Sequence, residues 1–125
     1  MKFLLLPLIA ALALPFEAYA DHQYPPKDFK DLDDLSLALT IMEVGLARCN
    51  IAKGSVSPKR ASKILHKSLR KRIGSFEYDY HMSYLKANNY AFANEYALLS
   101  AKNNCNKPDE HNFRKFYNKL AEFFN

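Results

Sequence analysis

The chain has 125 residues, 49% of them hydrophobic and 25% charged, with three Gly and six Pro. That composition is ordinary for one globular domain and excludes a disordered, collagen-like or repeat-array protein. The net charge is +5, and its distribution along the chain says more than its sum.

Residues 1–20 have the three parts of a secretory signal peptide. Lys2 is basic, Phe3 to Leu14 is apolar, and Ala18-Tyr19-Ala20 is a small-x-small site with cleavage expected after Ala20. The apolar run is shorter than the ~20 residues of a transmembrane helix, and Pro7 and Pro15 interrupt or end it. No later stretch reads as long and apolar enough to span a bilayer. The mature chain, Asp21 to Asn125, is therefore expected to be soluble in an exported compartment: periplasm, thylakoid lumen or extracellular space.

Residues 21–34 read as an extended lead, Tyr24-Pro25-Pro26-Lys27, followed by an acidic helix start. Asp28, Asp31, Asp33 and Asp34 there oppose the positive end of a helix dipole. The helical bundle domain is expected over residues 35–125. Its first helix, Leu35 to Ala47, is apolar nearly all round, which marks a central, buried element.

Gly54-Ser55 breaks the chain, and Ser57-Pro58 restarts it with a cap residue followed by proline at the first helical position. Ala61, Ile64, Leu65, Ser68 and Leu69 form one face of this second helix, and Gly74 supplies a stop. A third helix is expected from Ser75 or Asp79 to about Asn103, burying Tyr80, Tyr84, Ala87, Ala91, Leu98 and Ala101. The fourth starts at Asn106 or Lys107 and buries Phe113, Phe116, Tyr117, Leu120 and Phe124. The fold class is all-α: a small four-helix bundle with one disulfide, preceded by a cleavable signal peptide.

The disulfide is expected between Cys49 and Cys105, the only cysteines, because export is oxidising and two is the count one bond requires. Closing a loop of 56 residue steps contributes about 4 kcal/mol in the chain-entropy model. Close cysteine pairs with nearby histidines, the spacing of a zinc site, are absent from the sequence.

Between Lys53 and Arg72 there are eight Lys or Arg and no acidic residue. The rest of the mature chain carries nine basic against twelve acidic residues. At 100° per residue, Lys59, Lys63, His66, Lys67 and Arg70 form one stripe on the second helix, opposite Ile64, Leu65 and Ser68. The stripe is either a solvated outer face or a docking surface for an anionic membrane, an acidic polymer or an acidic protein. Nucleic acid is not an expected partner of an exported chain, and the chain is expected to be a monomer or to self-associate weakly.

Candidate chemistry is sparse. His22, His66, His81 and His111 are scattered, and no H-E-x-x-H or triad-like motif is present. With cleavage after Ala20, His22 becomes the second residue and a terminal copper chelate is conceivable; a frayed terminus is the ordinary state of such a residue, and no metal or cofactor is expected. An enzyme of unknown type is the competing class, and it lacks a convergent set of polar residues.

The leader MKFLLLPLIAALALPFEAYA, followed by a short helical, Tyr- and Asn-rich domain with two cysteines, resembles the small exported uncharacterised α-helical proteins of marine cyanobacteria. That resemblance implies an envelope or lumenal location. The segment from Cys105 to Leu120, a cysteine followed by a helix with Phe113 and Lys115, is similar in plan to the periplasmic acid-stress chaperones, which are small, all-helical and closed by one disulfide. The resemblance implies a stress-chaperone function as the alternative to an exported binding or structural module.

Overall fold

A computed structural model describes Phe29 and residues 32–125 and shows an all-α fold. The helices are α1 (Leu32–Lys53), α2 (Pro58–Ala87), α3 (Ala91–Ala101) and α4 (Glu110–Phe124). The signal peptide, the cleavage after Ala20, His22, the proline lead, Asp28 and Asp31 lie outside the described residues.

α1 is the central element, in contact with the other three helices. Leu35, Leu37, Leu39, Ile41, Met42, Val44 and Leu46 are all buried, as an all-round apolar pattern requires. The helix begins at Leu32, three residues ahead of the expected bundle boundary, with Asp33 and Asp34 in its first turn. Phe29 is also part of the core: its ring lies 5.1 Å from Tyr117 and 6.2 Å from Phe124. The bundle therefore reaches back into the segment read as a lead.

By length and composition the 22-residue α1 could cross a membrane, which corrects the expectation that nothing after the leader qualifies. Most of that helix is buried inside the protein. An apolar core helix and a membrane span share one composition, and the difference lies in what surrounds them.

α1 packs most closely on α3. A Cβ added at Gly45 would sit 2.7 Å from the Ala93 carbonyl oxygen and 2.9 Å from Tyr96 Cβ, so only glycine permits this approach. Beyond it Cys49 and Cys105 are bonded, with Cα atoms 5.6 Å apart. Asn50 Nδ2 donates to Leu46 O at 2.9 Å and to Cys105 O at 3.2 Å. The expected disulfide is present at the shared pole of α1 and α3.

α2 starts as the sequence indicates, with Ser57 Oγ accepting from Arg60 N at 3.2 Å and Pro58 in the first turn. Gly74, at φ 82° and ψ 167°, breaks its helical backbone. In a straight helix His66 and Tyr78 would stand about 18 Å apart, yet His66 Nδ1 lies 3.0 Å from Tyr78 OH. Arg70 Nη1 likewise donates to Ser75 Oγ at 3.0 Å. The second half of α2 thus folds back along the first, and the expected stop at Gly74 is this bend.

The expected third helix does not run unbroken to Asn103. Asn89 and Tyr90 take left-handed φ values of 54° and 56° and turn the chain between α2 and α3. Each side of the turn has its own helical phase, so one wheel drawn over both misplaces the core. Tyr80, Ala87, Ala91, Leu98 and Ala101 are exposed and Tyr84 is half-buried, whereas His81, Leu85, Ala93, Tyr96 and Ser100 are buried.

α4 begins at Glu110, later than expected, with Asp109 Oδ1 accepting from Asn112 N at 2.9 Å. Its buried residues, Phe113, Phe116, Tyr117 and Leu120, are those the spacing selects. Ala121 joins them, while Phe124 is half-buried.

Candidate functional site

The first half of α2 turns Ala61, Leu65 and Leu69 inward. This i, i+4 line leaves Lys59, Arg60, Lys63, Lys67 and Lys71 exposed. Among the described residues, no carboxylate is paired with any of these five in an ion pair. Lys59, Arg60 and Lys63 also border a shallow 450 Å³ depression with Ser57 and Ile64 beside the helix start.

The expected stripe divides. Lys59, Lys63 and Lys67 belong to the open face, but His66 and Arg70 turn toward the returning half of α2. The His66 ring packs edge-on against Tyr78 at 4.7 Å. Arg70 lies 3.7 Å from Asp79 and 5.2 Å above the Tyr78 ring. Arg60 and Lys71 complete the open face and were missed by the helical wheel. The usable signal was the Ala61-Leu65-Leu69 line, which sets the inward direction more sharply than Ile64 and Ser68 do.

Arg72, two residues beyond Arg70, points inward. Its Nη2 lies 3.2 Å from Glu43 Oε1 and donates to Thr40 Oγ1 at 3.2 Å. Thr40 Oγ1 is also 2.9 Å from His81 Nδ1. These four side chains tie the middle of α1 to both halves of α2. Glu43 is 0% exposed and His81 1%.

Burial pushes the Glu43 carboxyl up to about 8, against the opposing pull of the Arg72 charge and hydrogen bond. Burial, aided by the Arg72 charge, pushes His81 down to about 4, with Asp33 opposing. Glu77 Oε2, 3.7 Å from His81 Nε2, is too distant for a hydrogen bond. A neutral imidazole at neutral pH makes this a polar contact. Glu43 and His81 are closed to solvent while Arg72 is 14% exposed, and the cluster joins α1 to both halves of α2. Glu43 was visible in the sequence as the single charge within Leu35 to Ala47, and Arg72 was hidden inside a basic run.

A second concave region, a 690 Å³ groove between α1 and α3, has Ala52, Ala97, Leu98, Ala101 and the disulfide along it. Its cations are already engaged: Arg48 Nε donates to Asn94 Oδ1 at 2.7 Å and Lys53 Nζ to Asn104 Oδ1 at 2.7 Å. Among the described residues, no group of three or more His, Cys, Asp or Glu is placed to hold a metal ion. The chain matches no protein-family model, no curated protein and no solved structure.

Proposed function

We propose that this protein is an exported helical binding module that docks on anionic surfaces through the first half of α2. The supporting observation is the face of Lys59, Arg60, Lys63, Lys67 and Lys71, exposed and without an ion-paired carboxylate among the described residues. Five such cations on about three helical turns raise the local potential and attract polyanions. The disulfide suits an oxidising compartment, in keeping with the signal-peptide reading of residues 1–20.

The test replaces Arg60, Lys63, Lys67 and Lys71 by Gln, which keeps helix propensity. Arg70 is left in place because it holds Asp79. Binding of the wild type to polyphosphate and to anionic vesicles is expected to weaken as salt shortens the Debye length from about 10 Å at 0.1 M to about 3 Å at 1 M. The variant is expected to lose binding at low salt while keeping the wild-type circular dichroism. Equal binding by both proteins overturns the proposal.

A further inference from the structure

At the bend of α2 the chain turns outward the most exposed large apolar side chain among the described residues. Phe76 is 83% exposed, and Tyr80, one turn along the same helix, is 57% exposed. Lys71, Gly74 and Ser75 at the bend are also exposed. Single exposed apolar side chains are ordinary on a folded surface, but two aromatic rings one turn apart, next to cations without an ion-paired carboxylate among the described residues, group apolar and positive surface at one place.

The charges around the rings favour one environment. Lys67 and Lys71 precede the bend on the open basic face. Two acids lie between Phe76 and Tyr80. Asp79, 3.7 Å from Arg70, is offset within the protein, while Glu77, 44% exposed and 3.7 Å from the neutral His81, keeps its charge, which Lys63, Lys67 and Lys71 outnumber. A dissolved polyanion matches the lysines but offers the Phe76 ring no apolar medium. A bilayer with anionic headgroups matches both, with cations at the phosphates and aromatic rings in the interfacial layer.

We infer that the bend of α2 is a membrane-contact tip, on which Phe76 and Tyr80 enter the interface of an anionic phospholipid bilayer while Lys63, Lys67 and Lys71 lie against its headgroups. This rests on the docking function proposed above and names the surface that is docked. The helices keep their fold, and the tip enters the bilayer interface without spanning it.

The chain contains no tryptophan, so Phe76→Trp places a single indole reporter at the tip. The variant is mixed with vesicles of phosphatidylglycerol and phosphatidylcholine, with vesicles of phosphatidylcholine alone, and with polyphosphate. A blue shift and quenching by brominated acyl chains are expected with the anionic vesicles only. Phe76→Ser is expected to weaken binding to those vesicles at least about tenfold and to leave polyphosphate binding unchanged. Binding to anionic vesicles with no shift or quenching overturns insertion and leaves electrostatic docking standing. Binding to polyphosphate but to neither vesicle overturns the membrane surface in favour of a soluble polymer. No binding to any of the three overturns both proposals. Because Phe76 is exposed, unchanged circular dichroism in both variants separates these outcomes from misfolding.

Discussion

In its C-terminal half α1 is joined to the rest of the protein by a covalent bond at Cys49 and by a contact at Gly45 so close that only glycine fits. Its middle instead meets α2 through a carboxyl, a hydroxyl and an imidazole shut away from water and a guanidinium that is mostly so. The first joint draws on loop closure and packing, which do not depend on pH. The second places titratable groups where burial disfavours their charge, so its strength follows the proton concentration. One helix thus carries a fixed attachment and an adjustable one within about two turns.

The largest effect is expected from cutting the fixed joint. Replacing Cys49 and Cys105 by Ser releases the 56-residue loop and is expected to cost about 4 kcal/mol, read as a lower denaturant midpoint that matches the reduced wild type. Gly45→Ala tests the same half of the helix without touching the bond. The added methyl meets Ala93 O at 2.7 Å, and the overpacking is expected to cost about 1–3 kcal/mol. An unchanged melting temperature would show that α3 can move away freely.

Of the two joints, only the covalent one was anticipated from residue types. The cysteines were legible because only one pairing exists, and the α4 core because Phe113, Phe116, Tyr117 and Leu120 repeat with one uninterrupted phase. The α2–α3 region was less legible, since Asn89 and Tyr90 adopt left-handed backbone without a glycine to announce it. Gly45 gave no local sign, because its need arises from α3 lying across it. The stripe drawn on a straight helical wheel differs at its edges from the exposed basic face. Arg70 and Arg72 differ only in direction, and direction is decided by where Asp79 and Glu43 lie in space.

The adjustable joint makes a signed prediction. Glu43 keeps its proton in the folded protein up to about 8, against 4.5 when unfolded. Its contribution is complete below about pH 4.5 and is lost as pH rises through about 8. His81 works the other way, since its folded value of about 4 lies below the unfolded 6.5. Its contribution is complete above pH 6.5 and is lost as pH falls toward 4.

The two slopes cancel between about pH 4.5 and 6.5, so the melting temperature is expected to be level there and to decline on either side. From pH 6.5 toward 8 the fall amounts to about 2 kcal/mol, and Glu43→Gln is expected to flatten it. His81→Asn is expected to remove the acid decline and, by unmasking the Glu43 slope, to turn the level stretch between about pH 4.5 and 6.5 into a fall with rising pH. A monotonic profile in the wild type would count against this account of the cluster.

The smallest effect is expected outside both joints. Lys119 Nζ meets Glu95 Oε1 at 2.7 Å, with both side chains well exposed. Glu95→Gln should change stability by no more than about 1 kcal/mol, and less in high salt. A larger loss in chemical denaturation would mean that α3 and α4 depend on charge as the α1–α2 joint does.

Asn50 gives the covalent joint an order of events. By holding the Cys105 carbonyl and the Leu46 carbonyl with one amide, it seats the second cysteine beside the first through contacts that need no oxidant. The two thiols then face each other at high effective concentration as soon as the helices dock, and oxidation seals a partnership already chosen. Asn50→Ala should therefore slow disulfide closure during oxidative refolding more than it weakens the finished, oxidised protein. The same two hydrogen bonds persist in the oxidised protein, so the comparison of closure rate with final stability measures how Asn50 divides its contribution between assembly and the finished fold.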